Sequence, residues 1–274
     1  MKEYFVDKVA AVTGGASGIG LALVEAMLEM GARAVTMADI NEANLKKHVE
    51  RLSGRYPGKV QGVRTDVTRE ESVKAMVDGA AVFGGGRLDL LFNNAGLGLS
   101  GAFDDLGNDD WAKAFAINFY GALYGIRAAL PYMKKAKSGH ICNTASGIAF
   151  VNFPLQSMYA ATKAALLGMT NSLRYEYWDD GVRFSTVIPG TVATAIWEGA
   201  GGAPTNAITP EECAAAVLKG AAENKRVIFV TEDDRNGCVQ MALGAAYMPN
   251  MEESLNTYLL GVARARKAGD FTSI

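Results

Sequence analysis

The chain has 274 residues, 49% apolar and 20% charged, enough for a sizeable core in one large α/β unit or two small ones. A formal net charge of −2 excludes a sequence-independent nucleic-acid binder, which needs clustered positive charge; Arg264, Arg266 and Lys267 read as a solvated helix end. Three widely spaced cysteines and two histidines offer no metal-ligand spacing, and no window approaches the roughly 18 apolar residues of a membrane span.

Short apolar runs alternate with longer amphipathic stretches. KVAAVT (8–13) reads as a buried strand and SGIGLALVEAMLEMG as a helix ending near Gly31. RAVTMAD is the next strand, and NEANLKKHVERLSG the next helix, with Asn41 as its N-cap. KVQGVRTD and TREESVKAMVDGAAVFG repeat the cycle, and RLDLLFNNAG is a fourth strand running into a turn. A long helix follows from about Asn108 to Lys135, interrupted at Pro131. HICNTAS is a fifth strand, NFPLQSMYAATKAALLGM begins another helix, and VRFSTVIPG is a sixth strand. TPEECAAAVLKGAAEN and RVIFV close the pattern as a helix and a seventh strand.

Seven strands alternating with helices imply an α/β fold: a Rossmann-type doubly wound parallel sheet, helices on both faces, in a single domain over 1–274. The Gly/Ala/Pro-rich stretch within about 191–209 reads as a mobile substrate loop, and about 236–274 as a divergent tail. The opening MKEYFVDKVAAV lacks a long apolar core and is no secretory signal, so the expected location is cytoplasmic.

In VTGGASGIG, glycines at 14, 15, 18 and 20 fall where the first strand becomes the first helix. Small residues there let backbone approach a phosphate, and the helix N-terminus favours an anion. A glycine turn that only packs helix on strand is the alternative. Asp39, nineteen residues after Gly20 at the end of the second strand, can accept hydrogen bonds from an adenosine ribose. Its charge would repel a 2′-phosphate, and Ile40 rather than a basic residue follows, so NAD(H) is preferred to NADP(H). Tyr159 and Lys163 stand at i and i+4 on one helix, where an ammonium can serve a phenol. The spacing alone carries little, because Tyr4 and Lys8 repeat it.

Taken together, TGGASGIG, Asp66-Val67, NNAG (93–96), Asn118, Ser146, YAATK and PGTVAT resemble the short-chain dehydrogenases/reductases in order and spacing over about 8–194. The resemblance implies that Thr13, Gly14, Gly18, Ile19 and Gly20 form the pyrophosphate turn and that Asp66 and Val67 lie along the adenine. Asn93, Ala95 and Gly96 then line the middle of the groove and stabilise the central strand. Pro189, Gly190, Val192 and Thr194 contact the nicotinamide end. Tyr159 is implied as acid/base, Lys163 as its activator and ribose ligand, Ser146 as the substrate-polarising hydroxyl, and Asn118 as a proton-relay or water-holding residue. The expected activity interconverts a secondary alcohol and a ketone with NAD as cofactor and no metal.

Around the nicotinamide the sequence offers Leu97, Leu99, Ile148, Phe150, Phe153, Met158, Ile196 and Trp197, with no Arg or Lys among them. Ile148, Phe153 and Trp197, beside Ser146 and Tyr159, are the expected substrate contacts. A neutral, bulky apolar substrate is therefore expected, the alternative being that these side chains only pack core. Neither nucleic acid nor membrane is an expected partner. The family likeness implies a homodimer or homotetramer paired through the helices from Asn108 and Leu155. Two other functions compete: a non-catalytic NAD(H)-binding sensor or partner-binding module, and an epimerase or dehydratase on the same fold.

Overall fold

A computed structural model of the protein describes residues 1–98, 100–194, 203–247 and 249–270. A short helix α1 (Lys2–Phe5) leads into β1 (Val9–Thr13), α2 (Gly18–Glu29), β2 (Ala34–Asp39), α3 (Glu42–Arg55), β3 (Val60–Arg64), α4 (Glu70–Phe83) and β4 (Leu90–Asn93). Next come α5 (Asn108–Phe115), α6 (Gly121–Ala136), β5 (Gly139–Thr144), α7 (Ile148–Val151), α8 (Ser157–Glu176), β6 (Val182–Ile188), α9 (Pro210–Ala222) and β7 (Val227–Phe229). Two further helices, α10 (Glu232–Tyr247) and α11 (Pro249–Lys267), form most of the tail. No helix among the described residues is long and apolar enough to cross a membrane.

The strands form one parallel sheet in the order β3-β2-β1-β4-β5-β6-β7. Alternation along each strand builds the two faces. Ala10 and Val12 of β1 point into a core shared with Leu23 and Met27 of α2 and Leu218 of α9. Val9 and Ala11 point oppositely, toward Val77 of α4 and Met133 of α6. Asn41 caps α3 as expected, its side chain accepting the Asn44 N–H at 3.0 Å. The order reverses between β1 and β4, where an open α/β sheet leaves a crevice at its strand ends.

One expectation fails in the long helix. Pro131 does not interrupt α6; it lies inside it on an exposed turn, where water can serve the carbonyl that loses its N–H partner. The irregularity falls earlier, in a π-helical turn over Ala116–Tyr120 that joins α5 to α6 and carries Asn118.

Candidate active site

The turn after β1 uses two glycines in the left-handed region, Gly14 (φ 63°) and Gly18 (φ 48°). A Cβ at Gly14 would stand 3.1 Å from the Ala95 Cα, and one at Gly18 would stand 3.0 Å from Thr194 Cγ2. A Cβ at Gly20 would drive into the Gly14 carbonyl, so α2 packs on its own entry turn. Ser17 at the N-cap makes no side-chain capping bond among the described residues, which leaves the first N–H groups of α2, Ile19 among them, without a capping side chain. A turn built of small residues that runs into an uncapped helix N-terminus fits a pyrophosphate.

Asp39 takes the Ala16 N–H at 3.0 Å on one oxygen and the Asn41 N–H at 3.0 Å on the other. It braces the glycine turn and stays partly exposed at the end of β2, with acceptor capacity for hydroxyls. Thr13 joins the two halves of the crevice: its hydroxyl accepts the N–H groups of Asn94 (3.0 Å) and Ala95 (3.1 Å). Asn94 reciprocates, donating to the Thr13 carbonyl at 3.2 Å. The carboxylate of Asp66 accepts both the N–H and the hydroxyl of Thr68, which hold it below the usual carboxylate range. Val67 packs against Gly121 at the start of α6. Asn93 points inward instead, 4% exposed, donating to Asn143 at 2.8 Å.

Ser146 follows β5, and Tyr159 sits in the first turn of α8, where the Ser146 side chain is close enough to its phenol to lower its pKa. Lys163, one turn on and 4% exposed, donates to the Thr144 carbonyl at 2.8 Å, and its Nζ lies 5.7 Å from the Tyr159 ring centroid. Asn118 comes from the π turn. It accepts the Leu97 N–H at 2.8 Å and donates to the Leu97 carbonyl at 3.0 Å and to Thr162 Oγ1 at 3.2 Å. Gly96 lies between: a Cβ there would be 3.1 Å from Asn118 Oδ1 and 3.2 Å from Lys163 Nζ. The two polar ends therefore meet over bare backbone.

Burial governs the charges. It raises the Tyr159 phenol above its ordinary value, an effect that the Ser146 side chain opposes, and it lowers the Lys163 amine to about 8. The sequence suggested a phenol made more acidic by its lysine; in the structure burial raises it instead, and the lowering influence comes from Ser146.

The substrate side is less as expected. Ile148 and Met158 are buried in the core, and Phe150 packs on Phe229 beside Cys238. These side chains pack rather than line an open wall, and α10 lies against α7, which carries Ile148 and Phe150. Leu97 and Phe153 stay accessible, while Leu99, Ile196 and Trp197 lie outside the described residues. Pro189 and Val192 are buried, and Gly190 is approached by Asp234 of α10, whose carboxylate occupies the place of a Cβ. The base of the 191–209 loop is closed by a bridge between Val192 and Ile208.

Arg266 corrects the reading of a solvated basic helix end. It is 5% exposed and lies against the segment that leads into α8, whereas Arg264 and Lys267 face outward. The Val262 to Arg266 spacing of four was the available signal, since both sit on the buried face of α11.

Crevice, glycine turn and hydroxyl–amine cluster together define an oxidoreductase of the Rossmann type. The short chain dehydrogenase family model matches residues 8–203, and the chain belongs to that family. An uncharacterised oxidoreductase of Staphylococcus aureus (strain USA300) is 37% identical over 222 residues, covering 81% of this chain and 94% of that one. A short-chain dehydrogenase/reductase of Burkholderia phymatum, solved in complex with NAD, superposes with a TM-score of 0.77 at 25% identity, covering 99% and 98% of the two chains. A putative short-chain dehydrogenase of Novosphingobium aromaticivorans gives 0.78 at 27% identity over 97% and 99%.

Proposed function

We propose that the protein is an NAD(H)-dependent oxidoreductase interconverting a secondary alcohol and a ketone, with Tyr159 moving the proton. The observation that carries this reading is the hydroxyl pair of Tyr159 and Ser146 beside the buried amine of Lys163. A module that only binds a dinucleotide has no use for that arrangement.

The glycine turn, the free N–H groups of α2 and Asp39 would hold the dinucleotide, which when bound supplies the hydride acceptor or donor. Asp39 supports NAD over NADP by charge. Its cross-strand neighbour Arg64 is paired with Glu42 at 3.1 Å, and the relative from Burkholderia phymatum was solved with NAD. In the reductive direction the Tyr159 O–H gives its proton to the substrate oxygen while Ser146 donates a hydrogen bond to the same atom. In the oxidative direction the phenolate takes the alcohol proton. Burial favours the protonated phenol, so oxidation depends on positive charge, which Lys163 supplies while it is protonated below about pH 8. Asn118 clamps the Leu97 peptide and so fixes the backbone beside that amine. Leu97 and Phe153 favour a neutral apolar substrate such as an aryl carbinol. The same reading takes 1–274 as one catalytic domain acting as a homodimer or homotetramer.

A spectrophotometric screen of secondary alcohols and ketones with NAD and NADP, repeated with Tyr159→Phe, tests this. Net reduction of NAD is expected, with roughly a 10²–10⁴-fold loss in the variant and intact dinucleotide binding. A fully active variant overturns the proposal, and product without net reduced cofactor moves the reaction to epimerisation or dehydration.

A further inference from the structure

The tail helices reach the active-site side of the sheet at three separate places. Asp234, in the first turn of α10, presses its carboxylate on Gly190. Cys238, one turn on, lies 3.9 Å from the carbonyl oxygen of Gly147, the residue after Ser146. From α11, Arg266 Nη1 donates to the Pro154 carbonyl at 2.8 Å and to Gln156 Oε1 at 3.0 Å. Its guanidinium also sits 5.3 Å from the Phe153 ring centroid, and Tyr258 packs on the same ring at 6.5 Å.

The segment held in this way cannot hold itself. Asn152 (φ 52°) and Leu155 (φ 61°) both occupy the left-handed region, which is unfavourable for a leucine and persists only where surroundings impose it. The constraint is passed on. Gln156 donates to Ser100 Oγ at 3.2 Å, and the Leu155 carbonyl accepts the Gly101 N–H at 2.8 Å. Gln156 is also the N-cap of α8, three residues before Tyr159. One line of contacts thus runs from the tail, through the approach to the catalytic helix, into the loop after β4. Arg266 is an unfavourable choice for mere packing, since its guanidinium is desolvated and its buried Nε–H lacks an acceptor among the described residues.

We propose that Arg266 is a positioning residue that fixes the Phe153–Gln156 strap and the loop at 100–101, so that the C-terminal helix sets the shape and selectivity of the substrate mouth. This rests on the alcohol–ketone reading above. It assigns substrate selection to α11 and leaves the chemistry with Ser146, Tyr159 and Lys163.

The test uses the full chain with Arg266→Met, which keeps an apolar stem on Phe153 without donors, and Arg266→Lys, which keeps the charge and one donor direction. With NAD as cofactor, 1-phenylethanol probes a mouth that must fit a ring, and 2-propanol is the small control. Arg266→Met is expected to raise the KM for 1-phenylethanol about tenfold, the scale of one lost charge-assisted contact, with kcat and the KM for NAD within about threefold. The KM for 2-propanol should stay nearly unchanged, and Arg266→Lys should recover part of the loss. Amide exchange at Gly101 should accelerate in Arg266→Met while that of Ala11 and Ile141 in the sheet does not.

An unchanged KM for 1-phenylethanol overturns the inference. So does a parallel loss for both alcohols and NAD, which would mark general destabilisation. If the wild-type protein oxidises neither alcohol, the substrate reading has failed by itself, and exchange at Gly101 then decides: equal rates in wild type and variant overturn the strap.

Discussion

Replacing Lys163 with methionine removes a charge that the fold holds out of water. The amine is 4% exposed, and burial lowers its pKa from 10.5 to about 8. Because the folded value lies below the unfolded one, the unfolded chain binds the proton more tightly. The penalty on folding is therefore present in full below about pH 8 and fades as pH rises toward 10.5. The shift amounts to about 3 kcal/mol near pH 7, most of which is regained by pH 10. Methionine keeps most of the stem volume but loses the hydrogen bond to the Thr144 carbonyl, which contributes about 1 kcal/mol net. The variant should be about 2 kcal/mol more stable than wild type near pH 7, without that advantage near pH 10, and without activity. Urea unfolding of both proteins at intervals between these pH values measures it, since titrations common to both cancel in the difference. A difference that stays constant within about 0.5 kcal/mol across the range would refute a desolvated amine.

Gly20→Ala should destabilise the fold by about 1–3 kcal/mol, because the new methyl meets backbone at Gly14 that cannot swing aside. Thermal unfolding with and without NAD should also show a smaller ligand-induced rise in Tm. Asp39→Asn removes the charge and keeps one of the two acceptor oxygens, so the ratio of NAD to NADP affinity should fall at least about tenfold in a binding titration. His140 is kept neutral by burial, its pKa lowered to about 3 from 6.5. The unfolded chain takes the proton first as pH falls, so from pH 6.5 downward this residue should remove about 1.4 kcal/mol of stability per pH unit. His140→Gln, though less stable at neutral pH, should lack that component in acid denaturation.

Much of the architecture was legible because it rests on local chemistry. The apolar runs of KVAAVT and VRFSTVI could only be strands buried on both faces, and Asn41 announced the start of α3 by its short polar side chain. Tyr159 and Lys163 shared a helix face by spacing alone. The direction of the phenol's titration was not legible, because it depends on how much water the surrounding helices exclude. The π turn at Asn118 and the intact helix through Pro131 likewise express packing and exposure rather than local preference.

The sequence alone determined the alternation of strands and helices, the glycine turn, Asp39 at a strand end and the tyrosine–lysine pair, all set by residues within a few positions of one another. Tertiary structure alone decided which distant groups meet. It turned Asn93 inward to Asn143, closed Asn118 on Leu97, and carried Arg266 over the approach to Tyr159. A side chain's partner across a hundred residues follows from the path of the backbone and the solvent that packing removes, and neither is written in the spacing of the chain.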